Sequence, residues 1–186
     1  TIQPGCYFAF GPDVGDDYDT ASVVRFYFNL RTDGTALIAL VTSRFSRYHV
    51  PYSLKCFCGR AAHMRRDAAV LYVGARYAHL AIELIASGYA TIRSHLADPT
   101  PLFARRLAPG IALAEEPHTG ESFGAHRSHA VAEGLRAAYR RGIHGRDSQE
   151  AEILIAFQTH GIALAEPYLN AEPYDPFALH ALEFPQ

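Results

Sequence analysis

Lysine is nearly absent from this sequence of 186 residues: Lys55 is the only one, beside sixteen arginines. Cysteine is scarce as well, with only Cys6, Cys56 and Cys58. Cys56 and Cys58 are two residues apart on one predicted strand, too close for an ordinary disulfide, so no disulfide framework is indicated. This pattern favours a reducing compartment and predicts a cytoplasmic protein.

The sequence also lacks an apolar run long enough to span a bilayer, and its first residues resemble neither a signal peptide nor a transit peptide. Its net charge is −2, and its basic residues cluster only as arginine doublets such as Arg65-Arg66. Such a charge pattern provides no extended surface for nucleic acid or for an acidic membrane, so neither partner is expected. The length predicts a single domain over 1–186.

Residue patterns alternate between strand and helix. Strands rich in aromatic and β-branched residues are predicted at 5–11, 22–30, 51–58 and 67–74, with a strand pair around Pro109-Gly110. Helices are predicted at 35–49, 76–96, 125–141 and 147–159. The acidic stretch "PDVGDDYD" is predicted to be a turn. This order indicates an α+β fold: a mixed, mainly antiparallel sheet with helices packed on one face.

Side chains alternate between the two faces of a strand, and this alternation predicts a polar sheet face. Val24, Phe26 and Phe28 share the apolar face of one strand, so helices are expected to cover that face. If the strands form one sheet, its opposite face carries Arg25, Tyr27, Asn29, Ser53 and Lys55. Such a face is either the floor of a groove or an ordinary solvated face of an antiparallel sheet.

Lys55 is a candidate base on this face. An amine can lose its proton when burial or positive neighbours disfavour the charged form, whereas a guanidinium effectively cannot. A single retained lysine in an arginine-rich chain is therefore suggestive. The alternative is a surface lysine without a role.

The segment "GESFGAHRSHA" predicts a helix start at which Ser122 is the N-cap. His126 and Arg127 then fall in the first turn. The N–H groups and the dipole of a helix N-terminus suit a phosphate, which an arginine fork can also bind. The alternative is a capped surface helix. Metal-ligand patterns are weak because "CFC" lacks a second ligand pair, so no metal and no cofactor are expected.

Five segments together carry a resemblance to a known family: "RFYFNL", "PYSLKCF", "RRDAAVLYV", "RLAPGIALAEEP" and "GESFGAHRSHAVAEGL". In this order and spacing the chain resembles the HopA-type effector family from about residue 5 to about residue 170. Its founding members are type III secretion effectors of plant pathogens. Homologues in antibiotic-producing bacteria are the lyase component of class V lanthipeptide and thioamitide biosynthesis. The resemblance also implies an N-terminal segment before the first strand that is not part of these residues.

The resemblance implies a phosphoserine/phosphothreonine lyase. A partner Ser/Thr kinase phosphorylates a precursor peptide, and the lyase eliminates phosphate to give dehydroalanine or dehydrobutyrine. Elimination needs a base, an acid and positive charge on the phosphate. Chemical fit assigns Lys55 as base and His126 as acid. The phosphate-binding residues are then Arg127, Arg66, Arg106, Arg25 and Ser122, and the substrate-binding residues are Asn29 and Tyr27.

A second hypothesis belongs to a different class of protein. The chain would be a non-catalytic module that binds phosphate or phosphopantetheine-like groups, or a subunit that activates the kinase. Such a module needs the arginines but no deprotonated Lys55. The effector branch of the family favours this alternative.

Overall fold

The structure, a computed structural model, describes residues 4–59, 64–170, 177 and 184. Its sheet has six strands in the order β1-β3-β4-β2-β6-β5, and the pairs β1–β3, β3–β4, β2–β4 and β5–β6 are antiparallel. The strands are β1 (Cys6–Phe10), β2 (Val23–Phe28), β3 (Tyr52–Phe57), β4 (Ala69–Gly74), β5 (Arg105–Ala108) and β6 (Ile111–Glu115). The helices are α1 (Asp17–Ala21), α2 (Thr35–Arg47), α3 (Ala78–Ile92), α4 (Phe123–Arg140) and α5 (Arg146–Thr159). The predicted α+β fold is confirmed.

The described chain falls into two compact units. The sheet unit comprises Thr1–Leu113 and Pro176–Gln186, and the hairpin unit comprises Ala114–Asp175. The sheet unit holds α1 to α3 and most of the sheet, while the hairpin unit holds the last two residues of β6 with α4 and α5. Within the described residues, none of the helices combines the length and apolar character required to cross a membrane.

Apolar side chains on one face of β3 form the centre of the sheet unit. Tyr52, Leu54 and Cys56 are buried, and α2 covers this face with Phe45, whose ring meets that of Tyr52 edge to face at 5.6 Å. Burial raises the pKa of the Cys56 thiol to about 12. Cys56 is therefore a small core side chain with little thiolate character.

The acidic stretch before β2 contains a short helix, α1, where the sequence predicted only a turn. The main-chain N–H of Asp19 donates to the Asp16 carboxylate at 3.0 Å, and the N–H of Asp16 donates to the Asp19 carboxylate at 3.2 Å. These reciprocal bonds cap the helix start as in a capping box. Asp19 is buried and pairs with Arg76 at 2.8 Å, so a residue from after β4 fixes this turn.

Helices α4 and α5 form the helical hairpin after which the second unit is named. Gly134 of α4 lies against the main chain of Ile153 in α5, and a side-chain carbon at Gly134 would collide with that backbone. At the turn between the helices, Arg141 pairs with the Glu152 carboxylate at 2.6 Å. The close approach of the two helices therefore depends on a glycine.

Candidate functional site: a cationic face of the sheet

The face of the sheet opposite α2 carries the polar residues that the sequence pattern predicted. The strand register places Lys55 between Phe8 of β1 and Val70 of β4, and Val70 is paired with Tyr27 of β2. In the adjacent row, Phe10, Ser53, Tyr72 and Arg25 are successive cross-strand partners. Since directly opposed residues of antiparallel strands share a face, Arg25, Tyr27, Ser53 and Lys55 lie on the same side of the sheet.

Lys55 is half-buried, and its amine lies over an aromatic ring of its own strand. Its Nζ is 4.5 Å from the centroid of the Phe57 ring, and the guanidinium carbon of Arg65 lies 4.2 Å from the same centroid. Arg65 also pairs with Asp67 at 2.9 Å, which offsets part of its charge. Arg25 lies over the ring of Tyr72 at 5.3 Å. We call Arg25, Lys55 and Arg65 the cationic sheet face.

Two predicted substrate-binding residues, Tyr27 and Asn29, are buried in the sheet unit. The Asn29 amide donates to the Pro99 carbonyl at 2.8 Å, and its main chain bonds to Gly110 and Ala97. These contacts hold the segment that leads to β5 against the end of β2. Their substrate-binding roles remain predictions.

Two predicted phosphate-binding arginines, Arg66 and Arg106, are exposed and contact one segment. Arg106 pairs with Asp98 at 2.7 Å, and a guanidinium nitrogen of Arg66 lies 3.5 Å from the Thr100 carbonyl oxygen. Residues 60–63, between β3 and β4, lie outside the described part of the chain. Arg65, which is placed beside Lys55, was not selected from the sequence. The sequence signal for Arg65 was Phe57, an aromatic residue on the same strand face as Lys55, because an aromatic ring can bind a nearby cation.

The helix start of the hairpin unit is capped as predicted. The Ser122 hydroxyl accepts a hydrogen bond from the N–H of Ala125 at 3.3 Å. Arg127 is fully buried, and its guanidinium donates to the carbonyls of Pro167 at 3.0 Å and Leu169 at 2.8 Å. This arginine therefore anchors the segment after α5 onto α4. Its phosphate-binding role remains a prediction.

His126 is buried beside Arg127, and this contact sets its protonation. An Arg127 nitrogen lies 2.6 Å from His126 Nδ1, and since a guanidinium can only donate, Nδ1 is the acceptor and the ring proton is on Nε2. Burial lowers the pKa of His126, and the positive charge of Arg127 and the nearby His160 lower it further. Among the described residues, Nε2 has no hydrogen-bond partner.

The structure thus gathers Arg25, Lys55 and Arg65 in the sheet unit, and it gathers His126 and Arg127 in the hairpin unit. A single site that includes both groups remains a prediction. Across 4–59 and 64–170, no group of three or more His, Cys, Asp or Glu residues is arranged to hold a metal ion.

Fold and site together define an α+β protein built on a six-stranded sheet, with the cationic sheet face of Arg25, Lys55 and Arg65 on the side opposite α2. The model of the HopA1 effector protein family matches residues 1–169. The chain belongs to this family. No curated protein matches it.

Two solved structures are similar to this chain. One is an effector protein from Pseudomonas syringae pv. tomato strain DC3000, with a TM-score of 0.61 and 20% identity over 81% of this chain. The other is an effector protein from Pseudomonas syringae pv. syringae strain 61, with a TM-score of 0.62 and 17% identity over 82% of this chain. The chain spans only 57% and 58% of these two proteins. At such identities the likeness establishes the fold.

Proposed function

We propose that the chain is a phosphoserine/phosphothreonine lyase that eliminates phosphate from a phosphorylated peptide. The observation that carries this proposal is the placement of the half-buried Lys55 and the exposed Arg65 over one aromatic ring. An amine beside a guanidinium provides the two functions that elimination requires: a group that can accept a proton and a cation that can bind phosphate.

In the proposed step, the neutral amine of Lys55 removes the α-proton of the phosphorylated residue. The electrons of the C–H bond form the Cα=Cβ bond, and the Cβ–O bond breaks as phosphate leaves. Arg65 and Arg25 stabilise the charge of the leaving phosphate. The products are dehydroalanine from phosphoserine and dehydrobutyrine from phosphothreonine.

The proposal implies a partner, because the substrate must first be phosphorylated. A Ser/Thr kinase that acts on a precursor peptide would supply it, and the dehydrated peptide would enter lanthipeptide-like biosynthesis. The resemblance of the sequence to the lyase branch of the HopA-type family supports this assignment.

A second candidate is an effector-like module that binds a phosphorylated partner without chemistry. The two similar structures are both effector proteins, which favours this candidate. Such a module would use the cationic sheet face only for binding, and Lys55 would then be exchangeable for arginine.

Incubation of a phosphoserine peptide with this chain alone, followed by mass spectrometry, distinguishes the two functions. A lyase removes the mass of phosphoric acid and leaves a product that adds thiols at the new double bond. A peptide that is bound but keeps its phosphate, with and without an added kinase, would overturn the lyase proposal in favour of the binding module.

A further inference from the structure

An open cavity of about 330 Å³ lies at the end of the sheet unit near the start of β3. Much of its wall is apolar, and two of its aromatic or aliphatic side chains are strongly exposed: Phe10 at 66% and Val14 at 94%. Its lining also includes Tyr72, Ser53, Asp13 and Asp19. We call it the Asp13 cavity.

This cavity adjoins the cationic sheet face through a shared row of residues. Phe10, Ser53 and Tyr72 line the cavity and are cross-strand partners. Lys55 lies two residues beyond Ser53 on the same face of β3. Two residues along a strand correspond to about 7 Å, which is also the spacing of side chains two residues apart in an extended peptide. A peptide lying along β3 would therefore reach both places.

The charges at the two places are opposite. Asp19 is neutralised by Arg76, with nitrogen–oxygen distances of 2.8 Å to both carboxylate oxygens. Asp13 pairs with the exposed His49 through one oxygen at 3.2 Å, and its other oxygen is buried without a hydrogen-bond partner among the described residues. The Asp13 side chain is 31% exposed, and a partly exposed carboxylate at an apolar wall suits a long side chain with an aliphatic stem and a cationic head.

We propose that the Asp13 cavity is a specificity subsite for a lysine or arginine located two residues from the phosphorylated residue of a peptide. The aliphatic stem packs on Phe10, Val14 and Tyr72, and the cationic head reaches Asp13. The negatively charged phosphate of the same peptide contacts the cations Lys55 and Arg65. This inference rests on the proposed function, because it places the phosphorylated residue at Lys55.

The test uses short peptides with a central phosphonate analogue of phosphoserine, in which CH₂ replaces the bridging oxygen so that phosphate cannot leave. Arginine, leucine or glutamate is placed two residues before or after the analogue in an otherwise constant peptide. At one of the two positions, the arginine peptide should bind about fivefold more tightly than the leucine peptide, and the glutamate peptide most weakly. Fluorescence anisotropy measures the dissociation constants.

The Asp13→Asn variant should remove the preference for arginine over leucine. Asp17→Asn makes the same change of charge on an exposed residue of α1 outside the cavity, and it should leave the preference intact. Equal binding of the three peptides at both positions, no binding of any of them, or a preference that survives Asp13→Asn would each overturn the subsite.

Elimination from the corresponding phosphoserine peptides separates this inference from the proposed function. Elimination that does not discriminate among the three peptides would refute the subsite and leave the lyase standing. An Asp13-dependent preference in binding, without any elimination, would support the subsite and refute the lyase.

Discussion

The sheet unit and the hairpin unit place their basic side chains in different environments. In the sheet unit, Lys55 and Arg65 lie over one aromatic ring, and Arg65 is exposed while Lys55 is half-buried. In the hairpin unit, Arg127 is fully buried, and its nitrogens donate to main-chain carbonyls and to His126. The sequence had indicated a phosphate-binding role for Arg127 but not for Arg65.

The difference in burial distinguishes a cation that stabilises the fold from a cation that can bind a ligand. A guanidinium whose donors are taken up by carbonyls stabilises the fold, and a phosphate could bind it only by displacing those carbonyls. A cation that lies over an aromatic ring at a partly exposed position can also contact a ligand. We therefore expect substitutions in the sheet unit to affect chemistry, and substitutions in the hairpin unit to affect stability.

Replacement of Lys55 should have the largest effect on activity. Lys55→Arg keeps the charge but removes the base, so elimination should fall by about 100-fold or more, as far as in Lys55→Ala. Binding of a phosphonate peptide to Lys55→Arg should stay near that of the wild type. Single-turnover elimination and binding isotherms test this, and Arg47→Lys, an exposed exchange at the end of α2, is the control. An active Lys55→Arg variant would exclude Lys55 as the base.

Replacement of Arg127 should have the largest effect on stability. Arg127→Ala leaves the carbonyls of Pro167 and Leu169 without their donor and opens a cavity, so the free energy of unfolding should fall by about 3 kcal/mol or more. Arg136→Ala, an exposed exchange on the same helix, should change it by less than about 0.5 kcal/mol. Urea denaturation measures both. If Arg127→Ala is as stable as the wild type but binds phosphopeptide poorly, Arg127 is a phosphate ligand and the comparison fails.

Substitution of Gly134 should have a smaller effect on the same unit. A methyl group would meet the backbone of Ile153, so Gly134→Ala should push α4 from α5 and lower the free energy of unfolding by about 1–3 kcal/mol. Gly124 lies in the first turn of α4, and a Cβ added there would meet no other atom within 4 Å, so Gly124→Ala should be neutral or stabilising by up to about 1 kcal/mol. Thermal unfolding of both variants provides the measurement. Equal effects at the two glycines would contradict the close helix contact.

Features set by local pattern were predictable from the sequence. The alternation of Val24, Phe26 and Phe28 identified the buried face of β2, and Ser122 was recognised as a helix cap because a cap depends only on residues three apart. The capping pattern at Asp16 and Asp19 was equally local, but the stretch was interpreted as a turn. A helix of five residues has little periodicity to reveal it.

Features set by distant partners could not be predicted in this way. Arg127 is buried because its carbonyl partners come from a segment 40 and 42 residues later in the chain. The side-chain amide of Asn29 donates a hydrogen bond to the carbonyl of Pro99, 70 residues later in the chain. The strand register that places Lys55 beside Phe8 and Val70 is also a tertiary property. Sequence pattern therefore indicated which residue types could carry chemistry, and only the packing distinguished exposed cations from buried ones.

The smallest expected effect is a dependence of stability on pH that arises in the hairpin unit. Burial and Arg127 lower the pKa of His126, so the unfolded chain binds a proton at this residue before the folded chain does. The free energy of unfolding should then fall as the pH drops below about 6.5, by no more than about 1.4 kcal/mol per pH unit, and it should be fully restored above that pH. Protonation would also place a hydrogen on Nδ1, where it faces the donor of Arg127.

Replacement of His126 by glutamine should flatten this dependence, because glutamine does not titrate and its carbonyl can still accept from Arg127. The other groups close to His126 are His160, Glu121 and His129, and they remain in the variant. The carboxylate of Glu133 is protonated only at lower pH, since the hydrogen bond from His160 lowers its pKa.

His144→Gln, at an exposed position between α4 and α5, is the control and should keep the wild-type slope. Urea midpoints measured between pH 7.5 and 5.5, at about half-unit steps, decide the matter. If both glutamine variants follow the wild type, the buried pair of Arg127 and His126 does not govern the acid response of this unit.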